Sequence, residues 1–193
     1  KSNYKTLGPL FDELYNDLCS ERMNDFLSFI SSKKIIVDPK NHGGGLHQGK
    51  KNSSLDMHLD FNYHPMHKYL YREMNLLLYL NKDWREEYKG HLKIEDLRTG
   101  EKKEISVPFN RLIIQQCAPY TLHGYDQTRF PENLYRTSFA TYAYHQHIRY
   151  LEDPRTTDWF PADGSSFKKF LGRKMKYLVK IKTSIFGSGT AKN

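Results

Sequence analysis

Short apolar stretches separated by polar turns run through the middle of the chain and limit the folds that it can adopt. Each stretch has about the length of one β-strand, and Gly, Asn and Asp residues that favour turns lie between them. Many short strands of this kind indicate a β-sandwich or a jelly roll. The predicted strands are Ile35–Val37, Leu46–Gln48, Leu55–Phe61, Met74–Leu80, His91–Glu95, Ile105–Val107, Leu112–Gln115, Thr121–His123 and Tyr135–Tyr144.

Residues 7–30 carry apolar side chains at helical spacing and precede the first of these strands. Pro9 suits the first turn of one helix, and Ser20 followed by Glu21 is a typical start of a second helix. The sequence therefore predicts a mainly β protein with flanking helices (α+β), in which the N-terminal helices pack on a sheet.

Two residues of metal-binding type, His58 and Asp60, lie two positions apart in one predicted strand. Side chains at this spacing point to the same side of a strand, so the imidazole and the carboxylate can reach one ion. His123, in a later predicted strand, offers a third ligand. Two histidines and a carboxylate on one face of a metal leave its other positions open, which is typical of non-haem Fe(II) oxygenases.

Further motifs follow His58 in order along the chain, and together they resemble a known family. They are Arg72-Glu73-Met74-Asn75, Tyr79-Leu80-Asn81-Lys82-Asp83-Trp84, Gly90-His91-Leu92, Phe109-Asn110-Arg111-Leu112-Ile113-Ile114, His123-Gly124 and Arg136-Thr137-Ser138. Their order resembles the prolyl hydroxylase branch of the Fe(II)- and 2-oxoglutarate-dependent oxygenases, which includes the animal oxygen-sensing enzymes. The resemblance extends from about Gly43 to Tyr144 and implies a double-stranded β-helix, or jelly roll.

The resemblance also implies a role for each matching residue. Tyr79 and Ser138 are expected to help Arg136 bind 2-oxoglutarate, because a planar guanidinium can hold a carboxylate through two charge-assisted hydrogen bonds. The expected metal ligands are His58, Asp60 and His123, and these three with Arg136 form the expected catalytic set.

Two more positions match the family less specifically. Gln48 corresponds to a residue that contacts the cosubstrate, and the alternative is an ordinary loop amide. Arg72 corresponds to an arginine at the pocket mouth that contacts the substrate, and the alternative is a solvated residue at a strand end. Lys89 departs from the family pattern, because relatives often have a glycine there. The segment between His123 and Arg136 is longer than in the oxygen-sensing enzymes, and we expect it to form a loop.

The implied cofactor is Fe(II), with 2-oxoglutarate and O2 as cosubstrates and ascorbate as a candidate reductant. The implied reaction hydroxylates an aliphatic C–H bond and releases succinate and CO2. The resemblance favours a prolyl residue of a peptide or protein as the acceptor, and the alternative is a free amino acid or a sugar-linked metabolite. A function of another class is a non-catalytic barrel that binds nucleic acid or an anionic membrane through a basic tail.

The chain of 193 residues fits one structural domain. We divide it into an N-terminal helical support (1–34), a double-stranded β-helix catalytic core (35–150) and a basic C-terminal extension (151–193). Much of the net charge of +8 lies in this extension, and within it Ser166–Lys182 has the pattern of a basic amphipathic helix. Such a helical tail either packs on the sheet, which we favour, or makes peripheral contact with an anionic membrane. No specific nucleic-acid binding is expected.

The two cysteines, Cys19 and Cys117, lie far apart and form no Cys-x-x-Cys pair, so neither a disulfide framework nor a zinc ribbon is indicated. No apolar run reaches the roughly 20 residues that cross a bilayer. The cysteine pattern favours a reducing compartment. Together with the lack of a long apolar run, it leads us to expect a cytoplasmic protein.

Glycines at positions 43–45 predict a flexible loop over the pocket. The other histidines, including His42, His64 and His67, have no recognisable further ligands around them in the sequence, and we expect them to have surface or packing roles.

Overall fold

Ten strands and two α-helices form the architecture of the computed structural model, which describes residues 4–148 and 155–160. The helices are α1 (Pro9–Leu18) and α2 (Glu21–Ser31), with short 3-10 helices at Tyr4–Leu7 and Glu86–Tyr88. The strands are β1 (Ile35–Val37), β2 (Gly45–Gly49), β3 (Leu55–Leu59), β4 (Leu70–Tyr79), β5 (Leu92–Asp96), β6 (Lys102–Ile105), β7 (Arg111–Gln116), β8 (Thr121–Tyr125), β9 (Arg136–Gln146) and β10 (Asp158–Phe160).

The strands form two five-stranded antiparallel sheets. The first has the order β1, β9, β4, β7, and β2 pairs with the N-terminal half of β9; the second has the order β10, β3, β8, β5, β6. Because side chains from both sheets line one cavity, the sheets face each other. The expected mainly β fold with a jelly-roll core is confirmed. The predicted C-terminal helical tail lies outside the described residues.

Both helices pack on the outer face of the first sheet, as the sequence predicts. Ser20 caps α2 by accepting a hydrogen bond from the Met23 amide at 3.2 Å, which satisfies one of the donors exposed at a helix start. The shared core contains the buried side chains Tyr15, Leu18, Leu27, Ile35, Val37, Met74, Leu76, Leu78, Phe139 and Ala143. Within residues 4–148 and 155–160, no helix has both the length and the apolar character needed to span a membrane.

Several strands begin or end at other residues than the sequence predicts. The prediction followed apolar residues, whereas these strands also contain charged side chains. β4 begins at Leu70 and contains the buried pair Arg72 and Glu73. β6 covers Lys102–Ile105 and not Ile105–Val107, since its exposed lysines pair with β5 across the hairpin that turns at Gly100. The structure also contains β10, a strand that the sequence did not predict.

The segment with three glycines is a packed turn and not the expected loose loop. Gly45 already belongs to β2, and Gly44 lies so close to its neighbours that a Cβ atom there would be 2.5 Å from the Ala140 carbonyl oxygen. The Tyr142 hydroxyl donates to the Gly43 carbonyl at 3.0 Å. Glycine is therefore required for close packing against β9, and not for mobility over the pocket.

We expect Phe139→Ala to lower the free energy of unfolding by about 3–5 kcal/mol, because it removes a fully buried ring from the core. Phe29→Ala is the matched control, since that ring is 84% exposed and its loss should change stability by no more than about 0.5 kcal/mol. Denaturant titration of the two variants measures both values. Equal effects would contradict the packing described for the first sheet.

Candidate active site

Two histidines lie directly opposite each other on neighbouring strands of the second sheet. His58 of β3 is the cross-strand partner of His123 of β8, and their ring centroids are 4.2 Å apart. Both side chains are buried. Asp60 follows one residue after β3 ends, and not inside a longer strand as predicted. The three side chains nevertheless come together as the sequence expectation requires.

The donor atoms of this group have the spacing of a metal site. His58 Nε2 lies 3.7 Å from Asp60 Oδ1, and His123 Nε2 lies 3.6 Å from Asp60 Oδ2. One ligand atom from each residue lies within 4.8 Å of the others. A metal with ligand bonds of about 2.0–2.2 Å brings adjacent donor atoms to roughly 3–4 Å from one another. The group therefore fits an ion held by two nitrogens and one oxygen.

The orientation of His58 and the protonation of His123 both suit a metal. His58 Nδ1 donates to the Asp56 carbonyl oxygen at 2.9 Å, which leaves Nε2 as the nitrogen that can bind a metal. Burial lowers the pKa of His123 to about 4, against the opposite effect of Asp60. His123 is therefore neutral near pH 7, and neutral imidazole is the form that binds metals.

Asp60 is held through one oxygen by two residues of β4. Asn75 Nδ2 donates to Asp60 Oδ2 at 2.7 Å, and Arg72 Nη2 lies 3.1 Å from the same oxygen. Burial would raise the pKa of Asp60, but Arg72, the two histidines and Asn75 hold it at about 2. The carboxylate is thus ionised, and the contacts with Arg72 and Asn75 leave Oδ1 facing His58.

Arg72 lies on the inner wall of the site. Both expectations for this residue were wrong, since it lies neither at the mouth of the pocket nor at a solvated strand end. Its side chain is 1% exposed and packs against the rings of Tyr142 and Phe61, with its central carbon 3.5 and 4.2 Å from the two centroids. An extra residue in β4, Glu73, shifts the register with β9. This bulge turns both Arg72 and Asn75 towards Asp60, although residues three apart normally face opposite sides of a strand.

A cavity of about 270 Å³ extends from this group between the two sheets, and Arg136 lies in its wall. The Arg136 side chain is buried; its Nε donates to the Gly90 carbonyl at 2.7 Å and its Nη2 to the Tyr79 hydroxyl at 3.3 Å. Its guanidinium also stacks on Tyr125, with 3.9 Å between the central carbon and the ring centroid. The fixed cation therefore faces the same space as the two histidines and Asp60.

The other expected cosubstrate residues line this cavity as well. Tyr79 and Ser138 are cross-strand partners on β4 and β9. Burial raises the pKa of the Tyr79 phenol, against the lowering effect of Arg136, so the hydroxyl stays protonated and can donate to a ligand. Gln48 is exposed at the edge of the cavity, where its amide lies 3.5 Å from the Thr137 hydroxyl.

Lys89 and Gly90 form the tight turn that supports Arg136. Lys89 has φ 55° and ψ −152°, and Gly90 has φ 75°. Glycine adopts positive φ with the least strain, which accounts for the glycine that relatives often have at the Lys89 position. At Gly90 a Cβ atom would lie 3.1 Å from the Arg136 Cδ, so a side chain there would displace the arginine.

The family model of the 2OG-Fe(II) oxygenase superfamily matches residues 44–144, which is more than half of the chain. The chain belongs to this superfamily. The matched segment contains the expected metal ligands and Arg136. Membership implies Fe(II), with 2-oxoglutarate and O2 as cosubstrates, and the donor set of His58, Asp60 and His123 fits this metal.

The chain also resembles solved prolyl hydroxylase structures. A prolyl 4-hydroxylase from Phytophthora capsici has a TM-score of 0.57 at 15% identity, and the alignment covers 96% of this chain. This likeness shows the fold, and the chain spans 60% of that relative's length. No curated protein sequence matches the chain.

Two further structures match less closely. A prolyl-4-hydroxylase from Pseudomonas putida has a TM-score of 0.48 at 12% identity, with 76% of this chain and 70% of that chain covered. A prolyl hydroxylase from Trichoplax adhaerens, in complex with a peptide fragment of the hypoxia inducible factor oxygen degradation domain, has 0.34 at 17%, with 46% and 38% covered. These two likenesses are too weak to establish a common fold.

A second group of two histidines and an aspartate lies elsewhere in the protein, although the sequence indicates no further ligands for His64. His42 Nδ1 and His64 Nε2 lie 2.9 and 3.3 Å from Asp38 Oδ2. His64 Nδ1 accepts hydrogen bonds from the amides of Met66 and His67 at 3.1 and 3.2 Å. Because amides only donate, the proton of neutral His64 is on Nε2, where it points at Asp38 and blocks a metal. We interpret this group as a hydrogen-bond network, in keeping with the expected packing role of His64.

We expect Arg72→Ala to lower the free energy of unfolding of the metal-free protein by about 3–5 kcal/mol, because it leaves the buried Asp60 without its cation. Lys51→Ala is the control: it removes the exposed Lys51–Glu132 pair, and such pairs contribute about 0–1 kcal/mol. Denaturant titration compares the variants. A loss for Arg72→Ala no larger than that of the control would show that Arg72 does not stabilise the buried Asp60.

Proposed function

We propose that the oxygenase hydroxylates an aliphatic C–H bond of a prolyl residue in a peptide or protein and converts 2-oxoglutarate to succinate and CO2. In this proposal the iron ligands are His58, Asp60 and His123. The proposed cosubstrate residues are Arg136, Tyr79, Ser138 and Gln48. Ascorbate as a reductant stays a prediction.

The observation that carries the proposal is that a metal-binding group and a buried arginine line one cavity. Ferrous iron, when bound, supplies the oxidative decarboxylation of 2-oxoglutarate, in which one atom of O2 enters the acceptor C–H bond and the other enters succinate. The protein contributes ligand geometry, orientation of the keto acid and protection from water. The apolar part of the wall, which limits water, includes Leu55, Leu77, Leu92 and Ala140.

Arg136 and Tyr79 suit the end of the keto acid that is remote from the metal. A guanidinium donates two parallel hydrogen bonds to a carboxylate, and the protonated Tyr79 hydroxyl adds a third donor from the neighbouring strand. Because Arg136 is held by Gly90 and Tyr125, little side-chain entropy is lost when the cosubstrate binds. A keto acid held in this way would have its other end free to reach the two histidines, which line the same cavity.

The size of the cavity favours entry of one acceptor side chain. At about 270 Å³ the cavity is below the roughly 300–1,000 Å³ of typical small-molecule pockets, and the cosubstrate occupies part of it. A prolyl ring fits this requirement, and the rest of a peptide would lie outside, on the loops around Gly43 and Gln127. The resemblance of the motifs to the prolyl hydroxylase branch supports the same acceptor.

An unbiased screen of peptides and metabolites for the gain of one oxygen atom tests the acceptor class. Hydroxylation of a prolyl peptide, with succinate formed in equal amount, is the expected result. Hydroxylation of free amino acids or sugar-linked metabolites alone would contradict the prolyl proposal and leave the reaction class intact.

We expect His58→Ala to abolish the visible charge-transfer band that Fe(II) and 2-oxoglutarate give under anaerobic conditions, because one of the three ligands is lost. His64→Ala, in the hydrogen-bond network of Asp38, should keep the band. Circular dichroism checks that both variants are folded. A band of full intensity in folded His58→Ala would remove His58 from the metal site.

We expect Arg136→Ala to weaken 2-oxoglutarate binding to the Mn(II)-loaded oxygenase by about 10- to 150-fold, the equivalent of about 1.5–3 kcal/mol for hydrogen bonds to a charged group. Binding of Mn(II) itself should change little. Arg111→Ala, at an exposed position of β7, is the control. Calorimetric titration measures each constant, and unchanged 2-oxoglutarate affinity in Arg136→Ala would exclude this residue as the anchor.

A further inference from the structure

Residues 155–160, which we call the strap, run along the outer edge of the strand that carries His58. Within the strap, β10 pairs antiparallel with β3 and forms the edge of the second sheet. The strap lies outside residues 44–144, so the family match assigns it no role. It satisfies backbone groups of β3 that an edge strand would leave without partners.

Trp159 of the strap covers the ring of His58. The two residues are cross-strand partners, their ring centroids are 4.6 Å apart, and the planes are nearly parallel at 29°. His58 thus lies in a row between Trp159 on one side and His123 on the other. With Nδ1 bonded to the Asp56 carbonyl, the stacked indole restricts rotation of the imidazole away from the cavity.

Arg155 holds the chain at the carboxylate ligand Asp60 and at Asn62, two residues after it. Its backbone N–H donates to Asn62 Oδ1 at 2.6 Å, and its carbonyl accepts from the Asn62 amide at 3.2 Å. Its Nε donates to the Asp60 carbonyl at 3.3 Å. Because Asp60 lies beyond the end of β3, the strap supplies backbone support there that strand pairing does not.

We propose that the strap is part of the metal site, with Trp159 and Arg155 as positioning residues that set the affinity of His58 and Asp60 for the metal. This inference rests on the proposed metal ligands. Residues that orient metal ligands typically change metal affinity by about 10- to 100-fold when they are mutated. A stacked aromatic ring raises metal affinity because it fixes the imidazole of the ligand before the metal binds, so that less entropy is lost on binding.

The first test uses Co(II) and the fluorescence of Trp159 in the full chain. The protein has two tryptophans, so Trp84→Phe leaves Trp159 as the sole indole. Co(II) at His58 should quench most of the Trp159 emission, because the indole stacks on the liganding ring, and Trp159→Phe should leave the remaining Trp84 emission largely unchanged. Saturation with Co(II), followed by its visible absorbance, without loss of Trp159 emission would overturn the proposal.

The second test compares Co(II) affinity among strap variants. Trp159→Ala should bind Co(II) about 10- to 100-fold more weakly, and Trp159→Phe, which keeps a stacked ring, should recover most of the affinity. Phe160→Ala is the matched control: Phe160 is similarly exposed, at 39% against 36%, and points to the other face of β10. Equal affinity of wild type and Trp159→Ala for Co(II) would overturn the positioning role of Trp159 and leave the proposed metal ligands intact. Absence of Co(II) binding by the wild type would overturn the proposed metal site and the strap together.

Discussion

A carboxylate is stable inside a protein only where cations and hydrogen-bond donors surround it, and Asp60 is surrounded in this way. Arg72 and Asn75 hold one of its oxygens, so β4 must turn both side chains inward. The bulge at Glu73 makes this possible, since it changes the face on which Arg72 lies relative to Asn75. The Arg72 guanidinium in turn packs against the rings of Tyr142 and Phe61. Much of the inner wall of the barrel is thus arranged around one charge.

The second requirement is the register of the strands that carry the histidines. His58 faces His123 because β3 and β8 pair in one particular alignment. A shift by one residue would turn either ring to the opposite face of the sheet. Tyr125, two residues after His123, necessarily faces the same side and so reaches Arg136. The register that forms the proposed metal site therefore also positions the arginine that we propose as the cosubstrate anchor.

Local residue types were sufficient to predict much of the fold, whereas the candidate ligands were selected from the spacing of His58 and Asp60 together with the resemblance of the surrounding motifs to a known family. Alternating apolar residues and turn residues correctly predict most strands, and Ser20 and Pro9 correctly predict the two helices, because these signals act over a few neighbours. The inward turn of Arg72 depends on a bulge and on partners distant in sequence, so a local pattern favours a solvated position. Asn75 carried a usable signal, because it is a polar residue among the apolar residues of the predicted strand Met74–Leu80. Trp159 carried none, since its proposed role depends on pairing between β10 and β3.

The two groups of histidine and aspartate show why residue type and proximity do not by themselves define a metal site. Both groups have the same composition and similar spacing. In one, a carbonyl oxygen accepts from His58 Nδ1, so Nε2 is the nitrogen that faces the shared space. In the other, two amides donate to His64 Nδ1, so a proton on Nε2 faces it instead. The backbone groups beside His58 and His64 decide which atom of each ring is available. The same composition therefore gives a site that fits a metal around Asp60 and a hydrogen-bond network around Asp38.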